Sequence, residues 1–424
     1  MAPPNLMLRR RGVPQSAQIP ITVTISALWM MAAAAPSAVL IGPVSLSAIF
    51  TGLLVALILS WLPAYVLNPS TPAQFRGPVK QAGTRVPLTM WGFVLIATFG
   101  SVVIPSADYE FNVNSAQNVL VYWLFVGCIA SASAAKSRSA VLAGWELMRT
   151  AATWAAYIFF AIAALRLQTA LGVRTLAMGG IVVLALVVPG TPRNVWMKFA
   201  PFVVVAAMVL SLSRTATIIG CILLVFIVVR EGKRSRVSYS SRRFKALSVL
   251  LVSVMSLGLL VFYYEPFRNR FLVGDNAFQV GDLSLSTMGR NKMWDLMLSD
   301  PDMWMLGHGS GAAAQLIYEH LGLVHPHNDY LRFYFDFGII GLILFLVGYL
   351  TLATGIFRNA RRTDHPLHWA AFIAMTGVGL LSVTDNCFVY GYVMAPLGSV
   401  IGLSLALSRF DHAEVRSDHS RLAY

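Results

Sequence analysis

Residues 12–75 read GVPQSAQIPITVTISALWMMAAAAPSAVLIGPVSLSAIFTGLLVALILSWLPAYVLNPSTPAQF, 64 consecutive positions without Asp, Glu, Lys, Arg or His. A soluble domain solvates its surface with charge, so a run of this length belongs in hydrocarbon. A bilayer core of about 30 Å takes roughly 20 helical residues per crossing, and the run therefore crosses twice. Pro36 and Pro43 supply the break between the crossings. Arg9, Arg10 and Arg11 ahead of an apolar run ending in Ala32 to Ala35 also have the shape of a signal peptide. The many later spans favour an uncleaved first helix.

The remainder of the 424 residues has the same character, with 57% hydrophobic and 12% charged residues overall, which excludes an ordinary cytosolic enzyme. Apolar runs bounded by charges or Gly/Pro clusters predict spans near 19–35, 44–67, 87–104, 117–135, 150–165 and 172–188. Further spans follow near 197–212, 216–229, 246–263, 331–353, 367–384 and 388–408. The expectation is an all-α polytopic membrane protein of about 12 transmembrane helices with both termini on one side. Its parts are a tail 1–18, nine spans over 19–264, one large outer loop 265–330, three spans over 331–408 and a tail 409–424. If the termini are cytoplasmic, 24 of the 32 basic residues fall inside and 12 of the 18 acidic residues outside, so the positive-inside rule is obeyed. The net charge of +14 is then an orientation signal and not a nucleic-acid footprint.

The parity turns on 199–229, two charge-free runs flanking Arg214. Read as one span, it would put the basic residues of the earlier inner segments opposite the seven of 230–245. Two short spans with Arg214 at their outer turn keep the charges on one side. Cys128 and Cys221 fall in spans and Cys387 in a short outer turn, so no disulfide framework follows.

Polar residues gathered on one face of an apolar protein point to a site, and here they gather in the outer loop. It begins Glu265-Pro266-Phe267-Arg268-Asn269-Arg270 and passes Gly289-Arg290-Asn291-Lys292-Met293-Trp294. It ends His325-Pro326-His327-Asn328-Asp329-Tyr330-Leu331-Arg332. Residues 290–299 read as a short helix lying on or near the membrane surface, with Arg290 in its first turn. Arg268, Arg270, Arg290 and Lys292 read equally as solvated or lipid-binding side chains. Arg214, alone between two short spans, is costly unless it pairs or binds something. Arg332 and Asp336, four apart, read as a helix ion pair. Gly307-His308-Gly309-Ser310-Gly311 resembles a phosphate cradle in composition but lacks the strand-loop-helix context, and a loop turn is the simpler reading. His325, His327 and Asp329 have the spacing of part of a zinc set, with His308 and His320 as completers, but no second cluster finishes it, and no metal is expected. A histidine among guanidinium groups that depress its protonation suits a general base.

These residues resemble the O-antigen ligase and Wzy-type polysaccharide polymerase superfamily, bacterial membrane glycosyltransferases. The resemblance rests on Leu212-Ser213-Arg214-Thr215-Ala216, on Gly289-Arg290 with Trp294, and on Gly307 and Gly309 after Pro301. Its most specific part is His325-x-His327-Asn328-Asp329-Tyr330-Leu331 running into Phe337-Gly338-Ile339-Ile340-Gly341-Leu342. It implies a GT-C-like fold in the bacterial inner membrane with one large periplasmic loop. The implied activity is a metal-independent, inverting glycosyl transfer that needs no cofactor. The donor is a glycan on undecaprenyl pyrophosphate, and the acceptor is a lipid-linked repeat unit or lipid A core. A chain-length regulator and a flippase are the partners expected beside membrane lipids.

On this resemblance His327 is the base, with His325 competing. Arg214 and Arg290 bind pyrophosphate, with Arg268 and Arg270 competing for the second position. His325, Asn328, Asp329, Tyr330 and Arg332 support them. Fixed guanidinium groups suit a lipid pyrophosphate leaving group, since they chelate its oxygens in pairs. The compact Thr384-Asp385-Asn386 turn resembles polymerising members and favours a polymerase over a ligase. The rival from another class is a twelve-helix transporter or lipid flippase. Against it stand the absence of two-half symmetry and the position of the largest loop between spans nine and ten.

Overall fold

The computed structural model describes residues 18–32, 86–103, 113–165, 173–190, 192–234, 289–299, 304–323 and 325–422, together with the short stretches 40–41, 44–45, 49, 51–58, 109, 278–280 and 283–285. Helices dominate. They are α1 (Ile21–Ala32), α2 (Leu88–Val103), α3 (Val113–Ser133), α4 (Arg138–Ala164), α5 (Val173–Val187), α6 (Val195–Leu210) and α7 (Arg214–Arg234). In the C-terminal part follow α8 (Arg290–Leu298), α9 (Ala312–Leu321), α10 (Asp329–Thr363), α11 (Pro366–Leu381) and α12 (Gly391–Leu422). Two antiparallel hairpins are the exceptions, β1 (Leu40–Ile41) with β2 (Val44–Ser45) and β3 (Phe278–Val280) with β4 (Leu283–Leu285). Among the described residues, α3, α4, α10 and α12 contain segments long and apolar enough to cross a membrane, and six shorter apolar helices accompany them. The architecture is that of a predominantly helical polytopic membrane protein.

Several boundaries differ from the hydropathy reading. Helix α4 starts at Arg138, not near 150, because Ser137 caps it by accepting from the Ala140 N–H at 3.1 Å. Helix α10 runs to Thr363, not 353. Charged residues are good helix formers, so a helix continues past the stretch that hydropathy marks. The expected span at 44–67 opens with β2, with helix described over 51–58. The expected span 246–263 lies outside the described residues. The doubtful stretch 199–229 is two helices, α6 and α7, broken at 211–213.

Apolar helices gain no hydrophobic attraction from one another in lipid, so close packing and hydrogen bonds must join them. Helix α12 lies inside the described bundle, buried over residues 391–408. Its Gly398 and Gly402 lie one turn apart against α3. A Cβ there would come within 2.7 Å of the Phe125 carbonyl oxygen and 2.5 Å of that of Ile129. Polar bonds between helices complete the bundle: Ser399 to Ser26 at 2.8 Å, Thr22 with Ser131 at 2.8 Å, and His368 Nδ1 with Ser404 at 2.7 Å. Outward, Phe99, Phe199, Phe202 and Leu350 are more than half exposed, as lipid-facing side chains are.

The described connecting segments fall at two ends. At one, Arg138 pairs with Asp411 at 3.3 Å and Arg193 with Glu146 at 3.2 Å, while Asn359 donates to Ser408 at 2.7 Å. At the other meet the turns 211–213, 325–328 and 382–390 with α8 and α9.

Helix α10 is broken at Gly338, whose φ of 66° and ψ of −175° are non-helical. In an unbroken helix the N–H groups of residues 339 and 340 would bond the carbonyls of 335 and 336. Here residues 304–309 lie between the two halves. Ile339 N–H donates to Trp304 O at 2.9 Å and Ile340 N–H to Met305 O at 3.4 Å. In turn His308 N–H donates to Phe335 O at 3.0 Å and Gly309 N–H to Asp336 O at 2.8 Å. These four groups at the break are paired across it, as a low-dielectric setting favours. A Cβ at Gly338 would come within 2.1 Å of Met305 O.

Candidate active site

The segment 325–328 enters α10 through Asn328, whose side chain accepts the Leu331 N–H at 3.0 Å. Immediately before this cap, His327 has a φ of 51°, a left-handed conformation that non-glycine residues seldom adopt. Strain of this kind persists where surroundings over-determine the backbone, and it clusters at functional sites. The ring of His327 meets Asp385 with Nδ1 3.1 Å from Oδ1, and its side chain is 37% exposed. With Nδ1 engaged, Nε2 is the nitrogen left for a ligand.

Asp385 is held there by a clamp. The carboxylate of Asp329, fully buried, accepts the Phe388 N–H at 2.9 Å, and the Asp329 N–H donates to Ser382 O at 2.9 Å. The connector between α11 and α12 is thereby tied on both sides of Asp385 to the first turn of α10. His325 lies 6.4 Å from the His327 ring and 6.3 Å from Tyr390. Burial, reinforced by His327 and Arg332, lowers its pKa to about 4, so it is neutral at physiological pH.

Arg214 is the first residue of α7, two after Leu212, another left-handed non-glycine residue with φ 58°. Its neighbour Thr215 receives a hydrogen bond from Thr384 at 3.0 Å. Arg214 and Asp385 are thus each one residue from the same contact. Arg290 is the first residue of α8, and one turn later Trp294 donates from Nε1 to Pro326 O at 3.0 Å. Pro326 separates the two histidines, so α8 is fastened to the histidine segment. The structure therefore gathers the elements bearing Arg214, Arg290, His325 and His327. Arg268 and Arg270 lie outside the described residues.

Other expected roles change. Arg332 pairs with Asp329 at 2.8 Å and lies over the Phe333 ring at 5.3 Å, so the expected pair with Asp336 is replaced. Asp336 instead accepts the N–H groups of Gly311 at 3.1 Å and Ala313 at 2.9 Å. The segment beside the α10 break brings the N-terminus of α9 against this carboxylate, and a helix N-terminus attracts an anion. The glycine-rich turn is consequently no phosphate cradle. Its Ser310 N–H donates to Ser101 at 2.9 Å, and the N–H groups of His308, Gly309 and Gly311 have the partners already named. Tyr330 donates to Gly379 O at 2.7 Å and fastens α10 to α11. Helix α8 does not offer its apolar side to lipid, because Met293 and Met297 are buried with Ala313, Ile317 and Phe335.

The histidines do not assemble as a metal set. His308 stacks on Phe335 at 4.5 Å, and His320 Nδ1 lies 3.0 Å from the Leu316 carbonyl of its own helix. Among the described residues no three His, Cys, Asp or Glu side chains converge on one point. Sequence reasoning missed Asp385 and the threonine contact. The available clue was a carboxylate in a polar Thr384-Asp385-Asn386 turn inside an otherwise apolar stretch.

A helical bundle with apolar outer surfaces is a polytopic membrane protein, and the elements bearing Arg214, Arg290, His325 and His327 meet at one end of it as a candidate site. Residues 199–346 match the family model Wzy_C, described as O-Antigen ligase. That match supports membership of the O-antigen ligase and Wzy-type superfamily and, in general terms, an O-antigen ligase or polymerase type of glycosyl transfer. The matched residues contain Arg214, Arg290 and both site histidines but end before Asp385. No curated protein matches the chain.

Proposed function

We propose that the protein polymerises undecaprenyl-pyrophosphate-linked oligosaccharide repeats into exopolysaccharide or O-antigen at the periplasmic face of the inner membrane. In this reading the chain crosses the membrane twelve times with both termini in the cytoplasm. The pairing of strained His327 with Asp385, beside the Arg214 end of α7, carries the proposal. Asp385 accepts from Nδ1–H and so selects the tautomer in which Nε2 is basic. Nε2 removes the acceptor hydroxyl proton as that oxygen bonds to the anomeric carbon of the donor. The bond from that carbon to the pyrophosphate oxygen breaks on the opposite face, inverting the configuration. Arg214 and Arg290 meet the charge that builds on the departing pyrophosphate. The chemistry needs no metal.

A ligase is the second reading, favoured by the description of the matching family model. Both are tested with purified protein in metal-free detergent, given lipid-linked repeat units alone, beside a His327→Ala control. A ladder of longer lipid-linked chains, absent from the control, supports the polymerase. Transfer only when lipid A core is added supports the ligase, and neither product refutes both.

A further inference from the structure

Three consecutive apolar side chains stand out on the site end of the bundle: Trp304, Met305 and Leu306 are 54%, 49% and 44% exposed. They are not on a free loop tip. The carbonyls of Trp304 and Met305 accept from Ile339 and Ile340, which fixes this turn against α10 at its break. Beyond the break, α10 exposes Ile343, Val347 and Leu350 at 50%, 47% and 58%. Their spacing puts them on one helical face, the face that a membrane helix turns to lipid. One turn back from Ile343 are Ile339 and Ile340, the residues that hold the turn. The exposed run therefore continues the lipid-facing stripe of α10 directly upward.

We propose that the Trp304-Met305-Leu306 turn is a membrane anchor, its side chains entering the boundary between head groups and acyl chains in the leaflet at the site end. The occupant is bilayer lipid, because the turn is continuous with an exposed apolar stripe of α10 on the face that a membrane helix turns to hydrocarbon. Tryptophan suits this depth, with an apolar ring and an N–H that reaches the head-group layer. Met293 and Met297 of α8 are enclosed in the protein and Leu298 at its end is exposed, so the lipid contact expected along that helix falls mainly to this turn. Anchoring would hold the outer half of α10, and with it the His327 segment, at a fixed depth relative to a lipid substrate.

The test uses the full-length protein, one copy per lipid nanodisc, in a Cys221→Ser background. A nitroxide is attached at Met305→Cys, at Val347→Cys as the hydrocarbon reference, and at Glu319→Cys on the exposed face of α9 as the water reference. Oxygen should relax the label at 305 more effectively than a water-soluble nickel chelate does, as at 347, with the reverse at 319. Nickel access at 305 equal to that at 319 overturns the proposal, and so does a label shielded from both reagents, which would mean a protein contact. A second measurement needs no label. The emission lost between wild type and Trp304→Phe should be quenched when the vesicles carry brominated acyl chains. Emission insensitive to bromine also overturns the anchor.

Discussion

Gly338→Ala tests whether α10 is broken and spliced as described. The native φ and ψ lie in a region open almost only to glycine, and forcing alanine there costs about 1–3 kcal/mol. The new Cβ would stand 2.1 Å from Met305 O and 2.5 Å from Leu306 N, so residues 304–306 must retreat. Retreat breaks the bonds from Ile339 and Ile340, each worth about 1 kcal/mol net. The expected loss is about 3–5 kcal/mol, a large share of a typical total of about 5–15 kcal/mol. Thermal unfolding in one fixed detergent, followed by tryptophan emission, should show a clearly lower midpoint than wild type. Gly100→Ala, on a helix with open space around it, should keep or slightly raise the midpoint. A Gly338→Ala protein as stable as wild type would refute the break, since a continuous helix welcomes alanine.

Four further outcomes are expected. Asp385→Asn should lower kcat by about 10²–10³ with little change in KM, because the amide no longer selects the basic tautomer of His327; unchanged kcat removes Asp385 from the mechanism. Arg214→Lys should lose most transfer activity, since a point charge does not replace paired contacts to pyrophosphate, and full activity would take Arg214 out of the site. Transfer should survive EDTA, whereas loss reversed by zinc would revive the His325, His327 and Asp329 metal reading. The pKa of His325 falls from the usual 6.5 to about 4, mainly through burial, so between those values the unfolded chain binds more protons. Stability from this residue is thus complete above pH 6.5 and is lost as pH falls toward 4. His325→Gln should flatten that part of the stability profile, and a profile unchanged by the substitution would contradict the buried, neutral ring.

Hydropathy located most of the described apolar helices because hydrocarbon excludes charge, and it located the break at 211–213 because Arg214 interrupts two short runs. It could not mark helix ends: Arg138, Glu146 and Arg149 are helical within α4 although they end the apolar signal. The α10 break was hidden for a related reason. Gly338 is apolar, and its neighbours read as one uninterrupted span, while the segment that fills the gap comes from 29 to 34 positions earlier. Arg332 shows a different limit. Asp329 at i−3 and Asp336 at i+4 are both within reach on a helix, and local spacing favours neither. A distant element decided, when the N-terminus of α9 took Asp336. Likewise the His327–Asp385 contact spans 58 positions, and the Asp329 clamp that holds the connector beside it is equally remote in sequence.

The positions of these residues share a physical cause. Packing between apolar helices in lipid is weakly directional, so it fixes the bundle better than it fixes any one side chain. Helix ends and breaks are different, because their unsatisfied N–H and C=O groups demand partners of defined geometry. Arg214 and Arg290 begin helices, His327 precedes one, and Asp385 lies in the connector between two others. The polar bonds among these ends, Thr384 to Thr215, Trp294 to Pro326 and Phe388 to Asp329, set their mutual positions. The proposed glycosyl transfer would need the base and the leaving-group ligands at fixed separation while a long lipid chain stays in the membrane. Collecting them on helix ends at one face gives that precision without carrying polar groups into the hydrocarbon.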